Sequence, residues 1–584
     1  MSNTIVFKSE AEMPDVAMSI GTTLYNQTGS WRYLRPVYRD RTAPCHHACP
    51  AGEDIAFHLR RVKEGRYEEA LARILEENPF PGVCGRVCPH PCEAECNRAE
   101  LGGAIAIHTV ERFLADLPLA RHLPVIHPLD ASAPSVAVIG SGPAGLSCAY
   151  QLARRGHPVT VFEALDLPGG MMRVGIPSYR LPRPVLDAEI DSIAALGVKI
   201  LTRKRLGDTL GWDELKPFQA LVLAFGQHLS KKLEVPGEEL EGVLGGLEFL
   251  RQVNLGSPAT ASRSGAVSVG RRVAIIGGGN TAMDAARCAV RLGAEKVSIL
   301  YRRSRNEMPA IAEEIEETQA EGVHFEFLTA PVQVLGEGGR VTGLRCVQMT
   351  LGAPDERGRR TPVPVSGSDF VVGADTVITA LGQEADLSPI AGSVDIESAR
   401  MVINEAGATS CPTVFAGGDA AAAAGLGTVA HAIGSGKRAA LAIDRYLSGQ
   451  SLEGFPPLSE HVLAAPREVD PTVVTFEDIN LAYFDEEPRS TQAQRPAETR
   501  VKDMGEVNLG FGDQEARHEA ERCFSCGTCN GCDNCWVYCP DVAITRCDHL
   551  DYRVNYDYCK GCGMCAEECP RKAIAIEEEL KWKK

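Results

Sequence analysis

The residues that could do chemistry are cysteines, and they are grouped. Cys529, Cys532, Cys535 and Cys539 form a Cys-x2-Cys-x2-Cys-x3-Cys-Pro run, and Cys559, Cys562, Cys565 and Cys569 repeat it. Thiolates at this spacing hold [4Fe–4S] clusters, and in a doubled run the fourth cysteine of each half ligates the other half's cluster. The expected sets are Cys529, Cys532, Cys535 and Cys569 for one cluster, and Cys559, Cys562, Cys565 and Cys539 for the second. Zinc ribbons do not need four cysteines followed by proline twice. Cys523, Cys526 and Cys547 are surplus. The Cys523-x2-Cys526 pair could be an extra metal site but has no assigned role, and Cys547 is expected to be a buried thiol.

Six more cysteines sit near the other end, as Cys45-x3-Cys49-Pro and Cys84-x3-Cys88-Pro-x-Pro-Cys92-x3-Cys96. The Cys-x3-Cys spacing is less zinc-like than Cys-x2-Cys. Only Cys148, Cys288, Cys346 and Cys411 lie between the blocks, and they read as small buried hydrophobes. A chain of 584 residues with 21 cysteines is too long for a disulfide scaffold. No basic segment followed by an apolar one opens the chain, and no apolar run is long enough to span a membrane. A cytoplasmic protein is expected. The net charge of −17 argues against nucleic-acid binding by phosphate neutralisation.

Between the cysteine blocks lie two glycine motifs. Val136-Ala-Val-Ile-Gly140-Ser-Gly142-Pro143-Ala144-Gly145 follows a short β-branched run and opens an expected helix, 144–155. Gly140 makes the tight turn, Gly142 admits the pyrophosphate and Gly145 lets helix and strand pack closely. The helix N-terminus offers unpaired N–H groups to phosphates. A second strand, 158–162, ends at Glu163, whose carboxylate can accept from ribose hydroxyls. The second motif is Gly277-Gly-Gly279-Asn280-Thr281-Ala282, with alanine as the permitted third residue. Its following strand, 296–300, ends in Tyr301-Arg302-Arg303 instead of an acid. Arginine suits a 2′-phosphate, which favours NADP(H), with NAD(H) still open. The glycine spacing alone does not fix which site holds a flavin and which a nicotinamide.

The elements that must position these groups follow a coarse layout. Residues 1–40 read as an extended arm and 41–130 as a helical iron–sulfur domain, with one helical pattern from Glu53 to Glu77. A linker with Pro124, Pro128 and Pro134 leads into alternating strands and helices, the sign of parallel α/β folds. The boundaries expected are 134–250 and 386–450 for the first nucleotide-binding domain and 251–385 for the second. A Pro- and charge-rich strap covers 451–515, and 516–584 forms an α+β module with two [4Fe–4S] clusters.

Leu167-Pro-Gly169-Gly170-Met171-Met-Arg173-Val-Gly175-Ile176-Pro177-Ser-Tyr179-Arg180 resembles the signature after the flavin motif in the small subunit of NADPH-dependent glutamate synthase. The same architecture occurs in the N-terminal half of dihydropyrimidine dehydrogenase. Gly417-Gly418-Asp419, with Thr428 to Gly436, is similar to the closing flavin motif of those proteins. The resemblance runs from about Cys45 to Cys526. It implies FAD at Gly140 to Gly145, contacted by Gly170, Met171, Arg173, Ile176, Arg180, Gly418, Asp419 and Thr428. It also implies NADP(H) at Gly277 to Ala282, in a domain inserted within the FAD domain. The C-terminal runs resemble a fused bacterial ferredoxin.

The N-terminal cysteines depart from that family, which carries two clusters there and a Cys-x2-Cys pair before the position of Cys45. Leu34 to Pro44 contains no cysteine. The resemblance implies one [4Fe–4S] cluster on Cys49, Cys88 and Cys92, with Glu111 as fourth ligand. Cys45 and Cys96 are then partners of a lost cluster, or alternative ligands of a rearranged one. Cys84 matches a position that is usually not a ligand. Two clusters, zinc or free thiols are the other readings.

These features lead to an FAD-dependent NAD(P)H:acceptor oxidoreductase, a subunit of a hetero-oligomer. It would exchange electrons with a ferredoxin or an iron–sulfur partner such as a 2-oxoacid oxidoreductase or a sulfite reductase-type enzyme. A glutamate synthase small subunit and a bifurcating transhydrogenase subunit are the alternatives. A cofactor-binding sensor without turnover is a third, from a different class.

Overall fold

The structure is a computed structural model that describes residues 8, 9, 12, 27–118, 126–256, 269–355, 358–421, 427–464, 469–547 and 550–579. Most of the expected N-terminal arm and Pro124 of the linker lie outside the described residues.

Two five-stranded parallel sheets form the middle of the chain. In the first, the strands run in the order Val414–Ala416, Ala220–Leu223, Val136–Ile139, Val159–Phe162, Lys199–Leu201. Val136–Ile139 is buried at every position, as a central parallel strand covered on both faces must be. In the second, the order is His324–Phe327, Lys296–Tyr301, Arg272–Ile276, Thr376–Thr379, Val243–Gly245. All strands of the second sheet fall in the chain between Leu223 and Val414, so one nucleotide-binding domain is inserted in the other, as the resemblance implied. The insert also carries an antiparallel meander of Thr329–Glu337, Arg340–Pro354 and Arg360–Pro364, with Phe370–Gly373 beside its long middle strand.

The N-terminal domain is helical, but the pattern from Glu53 to Glu77 is two helices, Ile55–Lys63 and Tyr67–Glu77. The break falls at Gly65, whose φ of +73° is left-handed backbone that favours glycine and ends a right-handed helix. Asp54 caps the first helix by accepting from the Phe57 amide at 3.3 Å.

The chain ends are clasped together. Leu34–Tyr38, the last part of the expected arm, is a strand paired antiparallel with Ile574–Glu578. Arg32 pairs with Glu579 and donates to the Cys559 carbonyl at 2.8 Å. Arg41–Thr42 pairs with Asp470–Val473. The strap is also tied down. Arg500 pairs with Glu321 at 2.8 Å, Arg86 with Glu506 at 2.7 Å, and the Val507 amide donates to the Tyr179 carbonyl at 3.0 Å.

Candidate functional site

A concave site of about 370 Å³ lies between the two sheets and the N-terminal domain. Gly140, Gly142, Pro143, Ala144, Glu163, Gly170, Met171, Ile176, Arg180, Gly418, Asp419 and Thr428 all line it. The loop after Val136–Ile139 supplies the cradle. A Cβ on Gly142 would meet no atom within 4 Å, so the backbone there is open to a ligand. Gly145 does not line the cavity; a Cβ on it would lie 2.0 Å from the Gly140 carbonyl oxygen. That is the close helix–strand approach for which its glycine was singled out. Helix Pro143–Arg154 aims its N-terminus at the cradle. Burial pushes the Asp419 carboxyl upward, with Arg400 opposing. Thr428 caps helix Val429–Leu447, accepting from the His431 amide at 3.3 Å. The cradle, the helix dipole and the facing carboxylates fit a dinucleotide such as FAD.

Several expected contacts are otherwise engaged. Arg173 does not reach the cavity; its guanidinium pairs with Asp187 and donates to the Pro168 carbonyl. Arg180 lines the cavity but pairs with Asp284 at 2.9 Å and Glu314 at 2.7 Å, clasping the two nucleotide domains. Glu163 accepts from the Ser141 amide at 3.0 Å and the Leu165 amide at 2.7 Å, so it shapes the glycine turn as well as facing the cavity.

Sequence reasoning missed other lining residues. Lys204 and Arg205 bring positive charge, and the run Arg203-Lys204-Arg205 after a strand was a readable signal. His228 and Arg251 had none. They meet at 2.9 Å, and burial and Arg251 lower His228 to about 4.

The second glycine motif opens helix Asn280–Arg291. Asn280, Thr281 and Asp284, from its first turns, line the same cavity as the first motif. Gly277, Gly279 and Ala282 are set back from it; a Cβ on Gly277 would lie 2.3 Å from the Ala380 carbonyl oxygen. The two arginines after strand Lys296–Tyr301 diverge. Arg302 is exposed and makes no ion pair with a described residue. Arg303 is buried under the meander, paired with Asp355 at 3.2 Å and donating to the Arg360 carbonyl at 2.7 Å. Successive residues leave a strand end on opposite faces, so only one of the two can meet a nucleotide.

Cys49, Cys84, Cys88, Cys92 and Glu111 line one small cavity in the N-terminal domain, with Glu53. Burial pushes the Cys49 thiol up to about 12, and Glu53 and Glu111 add to it. Glu111 is itself held well above the carboxylate range by burial and by Glu53, while Asn78 donates to both carboxylates at 3.1 Å and 2.7 Å. Such thiols stay protonated until a metal displaces and releases their protons, and the donor set fits a cluster. Cys84, set aside from the sequence, shares the cavity with the expected ligands. Cys45 and Cys96 are absent from its lining. Val87 and Pro89, either side of Cys88, line the large cavity, so the two sites share a wall.

In the C-terminal module, Cys529, Cys532, Cys535 and Cys569 line one cavity together with Tyr38 and Arg571. Tyr38 Oη lies 3.2 Å from the Cys535 Sγ, so the N-terminal strand reaches a ligand sulfur directly. The Cys565 thiol is pushed up to about 12 by burial, then by Cys559, Cys539 and Cys562, the other three of its expected set. Both sets fit [4Fe–4S] clusters. Cys547 is exposed beside the hairpin of Ile544–Arg546 and Tyr552–Val554, contrary to the buried thiol expected. Cys148, Cys288 and Cys346 are buried and Cys411 partly so.

No helix among the described residues is long and apolar enough to cross a membrane. Residues 134–436 match the family described as pyridine nucleotide-disulphide oxidoreductase. Residues 38–123 match dihydropyrimidine dehydrogenase domain II, 4Fe-4S cluster, and residues 552–575 a 4Fe-4S binding domain. The chain is 42% identical over 512 residues to the NADP(+)-dependent formate dehydrogenase subunit beta of Moorella thermoacetica, covering 83% of this chain and 70% of that one. It is 41% identical over 519 residues to the NADPH-Fe(3+) oxidoreductase subunit beta of Geobacter sulfurreducens, covering 83% and 75%. It is 35% identical over 423 residues to the glutamate synthase [NADPH] small chain of Azospirillum brasilense, covering 70% and 87%. Among solved structures, Mycobacterium tuberculosis FprA in complex with NADPH aligns with a TM-score of 0.46 at 18% identity, over 54% of this chain and 85% of that one. The chain belongs to the pyridine nucleotide-disulphide oxidoreductase family, as an FAD-dependent NADPH oxidoreductase of the electron-transfer-subunit kind that carries iron–sulfur clusters.

Proposed function

We propose that the chain exchanges electrons between NADP(H) and an iron–sulfur partner enzyme, with the C-terminal module as the point of transfer to that partner. One observation carries this reading. The flavin-type cavity is lined on one side by the first turns of the second nucleotide helix, through Asn280 and Thr281, and on the other by Val87 and Pro89, which flank Cys88. FAD held there would supply hydride acceptance and single-electron delivery. The chain's own residues position the two. Arg180 and Asp284 lock the domains at the cavity, and the N-terminus of helix Pro143–Arg154 would hold the pyrophosphate end. The names of the relatives extend the partner class to formate dehydrogenase and Fe(3+) oxidoreductase subunits. The fused C-terminal module favours these over a glutamate synthase partnership.

The test is anaerobic NADPH oxidation by the full chain with a two-cluster ferredoxin as acceptor. Ferredoxin reduction at catalytic levels of the chain is expected. Turnover with dyes but not with ferredoxin would contradict the reading.

Arg302 is the residue we assign to the 2′-phosphate. Arg302→Ala is expected to raise the KM for NADPH roughly 10- to 100-fold, the value of losing charge-assisted hydrogen bonds, while NADH use is unchanged. Arg303→Ala is expected to lower stability without changing the preference. Steady-state kinetics with both nucleotides decides, and an unchanged preference in Arg302→Ala refutes the assignment.

A further inference from the structure

Among the cysteines with no place in the sites described so far are two pairs, Cys45 and Cys96 at one end and Cys523 and Cys526 at the other. The fold brings them together. Asn97, next to Cys96, lies with its Nδ2 3.6 Å from the Cys526 Sγ and donates to the Val474 carbonyl at 3.1 Å. The Gly527 carbonyl accepts from the Arg41 amide at 2.9 Å, four residues before Cys45. Phe524, between the two tail cysteines, is buried in one apolar cluster with Ala43, Ala56, Cys526 and Cys45. The Arg98 guanidinium lies 4.9 Å from its ring centre. Helix Asp513–Arg522 delivers the pair and is fixed by Arg522, which donates to the Gly102 and Gly103 carbonyls at 2.8 and 2.7 Å.

The four thiols lie close enough to act on one another electrostatically. Cys45 is pushed well up by burial and then by Cys96, Cys523 and Cys526, and Cys526 is raised in turn by burial, Cys523 and Cys96. All four are free thiols. No three of their sulfur atoms lie within 4.8 Å of one another, and the same holds for the eight C-terminal ligands. A single tetrahedral zinc with Zn–S bonds of 2.3 Å needs sulfurs about 3.8 Å apart. A single zinc would have to draw the four sulfurs together from that spacing.

We infer that Cys45, Cys96, Cys523 and Cys526 hold a further [4Fe–4S] cluster whose ligands come from both ends of the chain. The Cys-x2-Cys pair absent before Cys45 is supplied by the Cys-x2-Cys pair surplus in the tail. The position completes a line of sites. Cys92 of the N-terminal set feels Cys45, and Cys526 is three residues from Cys529, at most about 11 Å of chain. Arg571 feels Cys523 as well as Cys529, Cys532 and Cys569, so it stands between the new set and the first C-terminal one. The site thus lies between the set beside the flavin-type cavity and the C-terminal module.

Iron and acid-labile sulfide are counted in the full chain after anaerobic reconstitution, with low-temperature EPR of the dithionite-reduced protein. Cys523→Ser/Cys526→Ser is expected to lose about four irons, four sulfides and one [4Fe–4S] spin per chain, with flavin content unchanged. Cys45→Ser/Cys96→Ser is expected to show the same loss, and the quadruple variant no further loss. Cys547→Ser, at an exposed unassigned position, is expected to lose none. If the tail variant does not fold, the Cys45→Ser/Cys96→Ser pair decides alone. An unchanged iron count, one equivalent of zinc in the wild type, or additive losses from the two pairs would overturn the inference. None of these readouts depends on NADPH or on a partner.

Discussion

A Lys437→Met variant is expected to lose about 3–5 kcal/mol of stability where the flavin domain meets the N-terminal domain. Lys437 lies on helix Val429–Leu447, is 1% exposed, and pairs with fully buried Glu77 at the end of helix Tyr67–Glu77. It also donates to the Ala51 carbonyl at 2.6 Å, two residues beyond Cys49. The Glu77 carboxylate accepts from the Ala464 amide at 2.9 Å. Four segments therefore meet at one ion pair. Truncating one partner leaves the other charge buried and uncompensated, which is the costly case; the intact pair itself stabilises far less. Lys437→Met/Glu77→Gln is expected to recover most of the loss, since no charge is left and Gln still accepts. Thermal unfolding of the single and double variants checks this. Equal losses in both would show that packing, not charge, governs the junction.

Gly145→Val is expected to leave the protein without flavin. The Cβ would meet the Gly140 carbonyl oxygen at 2.0 Å, and that oxygen belongs to the turn that cradles the ligand. Gly140 has a φ of +105°, and its own Cβ would meet the Ala224 carbonyl oxygen at 2.5 Å, so the turn has no slack to yield. Overpacking of this kind costs about 3 kcal/mol, or roughly 100-fold in FAD affinity. The ratio of bound flavin to protein after gel filtration reads it directly. The cluster signals are expected to survive, because no cluster ligand touches this turn. Flavin retention near the wild-type value would mean that Gly145 is not needed for close packing.

What was legible in the sequence was what is local. The glycine turns, the helix that follows each, and the doubled cysteine run each lie within a few dozen residues, where periodicity and spacing carry the signal. The insertion of one nucleotide domain in the other was implied by the resemblance to the glutamate synthase small subunit. What was not legible depends on residues far apart in the chain. Leu34–Tyr38 looks like an arm because its partner strand lies about 540 residues away. Arg180 carries no sign that it will pair with Asp284 and Glu314 instead of a flavin. Arg303 differs from Arg302 only by the face of the strand end it leaves from. The Cys523-x2-Cys526 pair was visible, as was the gap before Cys45, but only the folded chain puts the two beside each other.

The central claim is that NADPH electrons cross the flavin cavity into the iron–sulfur sites of the same chain. The most direct measurement is anaerobic addition of NADPH to the isolated full chain, followed by visible spectroscopy and by low-temperature EPR of the frozen sample. The flavin band is expected to bleach and reduced [4Fe–4S] signals to develop, without any partner present. A flavin that stays oxidised, or one that bleaches while every cluster stays EPR-silent and is reduced only by dithionite, would contradict it.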